Sequence, residues 1–158
     1  MAKDTKTNAM RILEQKGIPF DVNLSEGEEC SDGVHIADQL GQPYEQSFKT
    51  LVAVGKSGGH YVFVLPIAQE LDLKKAARAV GEKAVELIHV KEIFPLTGYI
   101  RGGCTPIGMK KQFPTVIDET AILFDEIIIS GGRIGAQILI DPQELQKAIG
   151  CKFEELTI

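Results

Sequence analysis

The chain has 158 residues, with 17 basic and 22 acidic side chains and a net charge of −5, which suits one domain, spanning residues 1–158, with room for a real core. Apolar residues make up 44% and charged residues 25%, close to the globular average, and this excludes a disordered, collagen-like or coiled-coil chain. The acidic balance also weighs against a protein that coats nucleic acid, which usually needs a net basic face because phosphate neutralisation supplies most non-specific affinity; any such contact must be small and local, and DNA is not an expected partner.

Thr5 or Thr7 can cap a first helix that runs to Lys16, with Met10, Ile12 and Leu13 inward and Gly17 as its stop. Pro19 to Leu24 alternates apolar and polar residues and predicts a strand. Ser25 to Glu29 reads as an acidic loop, Ser31 to Leu40 as a short helix ended by Gly41, and Pro43 as a turn. Phe48–Val54 and His60–Leu65 flank Gly55-Lys56-Ser57-Gly58-Gly59, which predicts a hairpin. Asp72 should cap a helix through Val80, stopped by Gly81. Val85–Ile88 reads as strand and Val90–Leu96 as a turn or two of helix. Thr115–Ile117, Glu126–Ile129 and Ala136–Ile140 are strand-like. Asp141-Pro142 starts a last helix that Gly150 ends, and Cys151–Leu156 closes as an edge strand. Strands outnumber helices without strict alternation, which predicts an α+β fold with a mixed, largely antiparallel sheet.

The longest apolar run, Tyr61 to Ala68, is eight residues, well short of the roughly 18–20 a membrane span needs, so no membrane partner is expected. Met1-Ala2-Lys3-Asp4-Thr5 lacks the apolar segment of a signal peptide. Cys30, Cys104 and Cys151 are odd in number, far apart and without a CxxC, which favours a reducing, cytoplasmic compartment. His35, His60 and His89 have no histidine partner three to five residues away, so no metal is expected.

Gly55-Lys56-Ser57 invites a phosphate-loop reading, but the upstream glycine of that motif would fall on Thr50, and a strand follows instead of a helix. Cys104, between Gly102-Gly103 and Thr105-Pro106, invites a nucleophile reading. No histidine motif supplies the base it would need. Lys49 opens a strand, where a lysine is either a solvated edge charge or a cation aimed into a mouth framed by glycine loops. The two loops, Gly102–Gly108 and Ser130–Gly135, suit either close approach of backbone N–H groups to an anion or bends of a curved sheet.

Three stretches, Ser47-Phe48-Lys49-Thr50-Leu51-Val52, Gly98 to Gly108, and Ser130-Gly131-Gly132-Arg133-Ile134-Gly135, together resemble the YbaK/EbsC family. Agreement extends to Lys6-Thr7-Asn8-Ala9, Ile18-Pro19-Phe20 and Leu73-Lys74-Lys75-Ala76-Ala77. Members of that family are trans-editing aminoacyl-tRNA deacylases related to the editing domain of bacterial prolyl-tRNA synthetases. The resemblance is nearest the YbaK branch, which removes cysteine mischarged onto proline tRNA, and it implies a compact α+β domain built on a curved mixed sheet. It places the family's essential lysine on Lys49, its G-x-x-x-P substrate loop on Gly102 and Pro106, its strand-end serine on Ser130 and its pocket aromatic on Phe20. Cys104 stands where the family usually has serine, isoleucine or another small residue, which argues against Cys104 as nucleophile. The resemblance further implies no cofactor, contact with the 3′ end of a charged tRNA, and association with prolyl-tRNA synthetase. Lys49, Arg101 and Arg133 are then candidate phosphate or carbonyl contacts, and an acidic chain with a few local cations suffices.

No serine–histidine–aspartate set, carboxylate pair or metal cluster is legible, so positioning and electrostatics must do the work. For cysteine the resemblance implies that the substrate's own thiol attacks its ester carbonyl. Lys49 then orients the substrate, backbone N–H groups at Gly102 and Gly103 stabilise the oxyanion, and Ser130 and Phe20 shape the pocket. Three alternatives stand beside this reading. They are a sister branch that hydrolyses alanyl-tRNA with water, a non-catalytic tRNA-end or synthetase-docking module, and a hydrolase using Cys104.

Overall fold

The computed structural model describes residues 6–24 and 33–158. In chain order the elements are α1 (Asn8–Gln15), β1 (Asp21–Leu24), α2 (Gly33–Leu40), β2 (Phe48–Gly55), β3 (His60–Pro66), α3 (Leu73–Val80), β4 (Val85–Leu87), α4 (Val90–Thr97), β5 (Thr115–Asp118), β6 (Ile127–Ser130), β7 (Ala136–Ile140), α5 (Pro142–Ile149) and β8 (Lys152–Glu154). Cys30, the expected acidic loop at 25–29 and the expected helix start at Ser31 lie outside the described residues.

Local chemistry sets the helix ends. Thr7 caps α1, its hydroxyl accepting from the Met10 N–H at 3.2 Å. The Asp72 carboxylate accepts from the Lys74 and Lys75 N–H groups at the start of α3, and Asp141 accepts from Gln143 N–H at α5, where Pro142 takes the first position. Pro95 lies within α4 and cannot donate to the carbonyl four residues back, which suits a helix of only two turns. Sequence patterning gave no sign of the 3₁₀ turn at Glu119–Leu123. It is held by Asp118, whose buried carboxylate accepts from the Thr120 N–H and hydroxyl and from the Leu156 N–H.

The strands form two sheets. One has the order β4-β2-β3-β5-β8, antiparallel across β4-β2-β3 and parallel across β3-β5-β8; the other is antiparallel, in the order β1-β7-β6. A single parallel bridge, Ser47 to Ile128, joins them. The pleat of the larger sheet sorts its side chains. Phe48, Val52, Val62 and Val64 face a core shared with α1, α5 and the smaller sheet, while Ala53, Phe63 and Leu65 face α3. Leu13, Ile129, Ile138 and Leu145 are fully or almost fully buried in the shared core, each contributing about 1.5–3 kcal/mol of apolar burial. The larger sheet is thereby held between α3 and a layer made of α1, α5 and the smaller sheet. The mixed, largely antiparallel α+β architecture expected from the sequence is the one observed, divided in two at Ser47.

The Gly55–Gly59 segment is the tip of the β2–β3 hairpin, closed by Gly55 N–H to the Gly59 carbonyl at 2.7 Å. Glu82 covers it, accepting from the Ser57 N–H and hydroxyl and from the Tyr61 hydroxyl. A Cβ on Gly55 would lie 2.3 Å from the Glu82 side chain. A carboxylate over the tip is incompatible with a phosphate cradle there.

Candidate functional site

Lys49 is the second residue of β2 and is half-buried. Alternation from Phe48 and Val52 puts it on the opposite pleat face from the shared core, with Leu51 and Ala53. The Ser47–Ile128 bridge is parallel, so two residues further along both strands Lys49 comes level with Ser130. Ser130 pairs with Gln137 of β7, and Gln137 pairs with Asn23 of β1. The register of the smaller sheet therefore draws Ser130, Gln137 and Asn23 into one polar row across three strands, with Lys49 two residues past the bridge that joins β2 to it.

Hydrogen bonds fix part of that row. Gln137 Oε1 accepts from Asn23 Nδ2 at 3.0 Å and from Gln42 Nε2 at 2.8 Å, and Gln137 Nε2 donates to Gln42 Oε1 at 3.1 Å. The Ser130 hydroxyl oxygen accepts from the Gly132 N–H at 3.2 Å, which leaves its proton to donate elsewhere. The next loop closes through the Gly131 N–H to the Ala136 carbonyl at 2.7 Å, and the Thr7 hydroxyl donates to the Gly131 carbonyl at 2.5 Å.

The second glycine loop lies against the first. A Cβ on Gly103 would stand 2.9 Å from the Arg133 Cα, and Gly102, at φ +89°, abuts the Ile134 side chain. Only glycine permits so close a backbone approach at Gly103. The Gly103 N–H bonds the Ile100 carbonyl at 3.0 Å, so it is committed within the turn. The far end of the loop is pinned to α1: the Tyr99 hydroxyl donates to the Ile107 carbonyl at 2.5 Å, and a Cβ on Gly108 would meet Ile12 and Asn8 within 3 Å. Pro106 and Thr105 are buried, and the Thr105 hydroxyl has no partner. Arg101 and Arg133 are exposed on either side.

Two further residues weighed in the sequence, Cys104 and Phe20, lie outside this arrangement. Cys104 is half-buried, and burial pushes its thiol up to about 11, the reverse of what a nucleophilic cysteine needs. Phe20 lies just before β1, three residues from Asn23, and so roughly 10 Å along the sheet from the level of Ser130. It lines a separate groove of about 320 Å³ with Pro19, Asp21, Asp125, Glu126 and Asp141. The structure thus brings Gly103 against Arg133 and Gly102 against Ile134, and sets Lys49 and Ser130 each two residues beyond the Ser47–Ile128 bridge, while Phe20 stands apart.

Sequence reasoning passed over Gln137, Asn23 and Gln42. The first two carried a signal, since Gln137 alternates with Ala136 and Ile138, and Asn23 with Val22 and Leu24, which marks a polar face. Gln42 carried none, because its place follows from the packing of the α2 end against β7.

The amides of Asn23, Gln42 and Gln137, the Ser130 hydroxyl, Lys49 and the two apposed glycine loops make up the candidate site. Residues 28–148 match the aminoacyl-tRNA editing domain family, and the chain belongs to that family. It is 46% identical over 153 residues to a candidate Cys-tRNA(Pro)/Cys-tRNA(Cys) deacylase, EbsC, of Enterococcus faecalis, covering 96% of this chain and 93% of that one. A crystal structure described as a candidate trans-editing enzyme for prolyl tRNA synthetase superposes with TM-score 0.81 at 28% identity, covering 98% of this chain and 99% of the other. The hypothetical protein APE2540 shares the fold, with TM-score 0.85 at 23% identity over 94% and 97% of the two chains. Among the described residues no helix is long and apolar enough to cross a membrane.

Proposed function

We propose that this chain is a trans-editing deacylase that clears cysteine mis-attached to tRNA(Pro), acting in the cytoplasm. The observation that carries the reading is the apposition of Gly102–Gly103 on the Arg133 loop, beside the strand end where Lys49 comes level with Ser130. That arrangement offers a cation, a hydroxyl, amide donors and close backbone approach within a few residues of one strand end. The similarity to a candidate Cys-tRNA(Pro)/Cys-tRNA(Cys) deacylase over almost the whole chain supports the choice of substrate.

In this mechanism the nucleophile is the substrate's thiol. Its sulfur attacks the ester carbonyl carbon, the bond from that carbon to the ribose oxygen breaks, and the thiol proton ends on the departing ribose hydroxyl. The products are a cyclic thiolactone, which water later opens, and the free tRNA. Lys49 holds the carbonyl or the terminal phosphate, and the Gly102 N–H, with the Gly103 N–H already bonded to the Ile100 carbonyl, stabilises the oxyanion. The Ser130 hydroxyl orients the aminoacyl group, and Arg101 and Arg133 flank the terminal phosphates. Pro106 keeps the loop rigid, and Phe20 borders the approach instead of the reacting ester. Selection of tRNA(Pro) is shared with prolyl-tRNA synthetase, which the structural relative's description supports.

The test is release of labelled cysteine from Cys-tRNA(Pro). Wild-type protein should accelerate it well beyond spontaneous hydrolysis; release no faster than in buffer would overturn the assignment.

A further inference from the structure

In an acidic chain, one long stretch contains no carboxylate. No Asp or Glu occurs between Glu92 and Asp118, yet Arg101, Lys110 and Lys111 fall there. All three are exposed, as is Arg133 against the same loop. Among the described residues none of these four forms an ion pair. The one carboxylate on α4, Glu92, accepts from the His89 N–H at 2.9 Å, at the helix end away from this loop.

Apolar groups that ordinary folding would bury adjoin these cations. Val90 and Phe94, one helical turn apart on α4, are each 55% exposed, and Ile100 is 51% exposed. The Lys110 ammonium lies 5.5 Å from the centroid of the Phe94 ring and donates to the Pro95 carbonyl at 3.3 Å. The Lys110 N–H bonds the Thr97 carbonyl, and the Lys110 stem packs at Gly98. Exposed Ile100, Arg101 and Gly102 follow in the chain from the Gly98 that Lys110 packs on, and the buried Gly103 after them lies against exposed Arg133.

We propose that α4 and the 98–111 loop are the docking face for the acceptor end of the tRNA, with Phe94 stacking a base of its single-stranded 3′ end and Lys110 and Lys111 holding phosphates. The proposal rests on the deacylase reading and extends it from the reacting ester to the nucleotides behind it. Charge complementarity selects the occupant. An exposed aromatic ring among cations is the pattern of single-strand binding, whereas lysine is depleted in protein–protein interfaces.

The experiment is equilibrium binding of an uncharged acceptor-stem minihelix ending in CCA, measured over a salt series. Lys110→Glu with Lys111→Glu should weaken binding at least about tenfold and take about 2 from the slope of log affinity against log salt. Phe94→Ala should weaken it at least about fivefold with the slope unchanged. Since Lys110 also packs on Gly98, the exposed Lys111→Glu alone serves as the variant whose folding is not in question, and it should take about 1 from the slope. Unchanged affinity and slope in all three would overturn the proposal. So would variants that keep minihelix affinity but lose capture of prolyl-tRNA synthetase, which would assign the face to a protein. Wild-type protein that binds the minihelix through these residues but releases no cysteine leaves the face standing and removes the deacylase reading. Wild-type protein that cleaves, with variants of undiminished kcat/KM, removes the face alone.

Discussion

Lys49 and Cys104 separate what a residue can do from what its identity suggests. Cysteine is the more reactive side chain in isolation, but burial holds the Cys104 thiol protonated up to about 11, so almost no thiolate exists at neutral pH. Cys104→Ser should therefore change the deacylation rate by no more than a few fold, measured on Cys-tRNA(Pro); loss of most activity would restore the cysteine mechanism. Lys49, by contrast, stands half-buried at the start of β2, level with Ser130. Lys49→Ala should remove most activity while unfolding at a denaturant midpoint close to wild type, because a partly exposed lysine stem contributes little to the core. A stable variant with near-normal turnover would remove Lys49 from the site.

At the scale of elements, the two glycine loops work as one unit. Gly103 lies on the Arg133 backbone so closely that an added methyl group would sit 2.9 Å from its Cα, while Gly102 meets only the flexible Ile134 side chain but has φ +89°. Gly103→Ala must push the loops apart, and Gly102→Ala must strain its own backbone. Both should lower kcat/KM. Gly103→Ala should be the more damaging, and crystal structures of the variants would show the loop separation that distinguishes it. Wild-type activity retained in both would make the loop a mere bend in the sheet. These elements also show what a sequence can and cannot disclose. Helix caps such as Thr7, Asp72 and Asp141 were legible because the capping side chain and the helix it starts are neighbours in the chain. The apposition of Gly103 and Arg133 was not, since it depends on how two distant loops meet. Phe20 shows the same limit: its motif named a pocket residue, but the β1–β7–β6 register sets it roughly three residues from the level of Ser130.

For the whole molecule, burial of titratable groups in the shared core makes stability depend on pH at the alkaline end. Burial raises Tyr99 from 10.0 to about 12, and Cys104 and Cys151 from 9.0 to about 11. Each is neutral when protonated, so the unfolded chain releases these protons first. Their contribution is intact below about 9 and is lost as pH rises through about 9 to 12. The urea midpoint should hold from pH 7 to 8.5 and then fall, and Tyr99→Phe should flatten the part of the fall above pH 10. A midpoint that stays level to pH 11 would contradict the burial of these groups. The fold class was legible at this scale because alternation and glycine punctuation recur along the chain. The division into two sheets was not, because it turns on one bridge between Ser47 and Ile128.

The central claim is that the reacting nucleophile belongs to the substrate, and one comparison tests it most directly. Initial deacylation rates are measured for cysteine, serine and alanine esterified to the same tRNA(Pro). A pocket alone separates such near-isosteres only about tenfold to two-hundredfold. Attack by the substrate's sulfur should separate them further, because cysteine and serine would both close a four-membered ring but the thiol is far the better nucleophile and its longer bonds strain the ring less, while alanine has no nucleophile to offer. The account predicts cysteine cleaved far faster than either of the others. Comparable rates for alanine and cysteine would make water the nucleophile and contradict it.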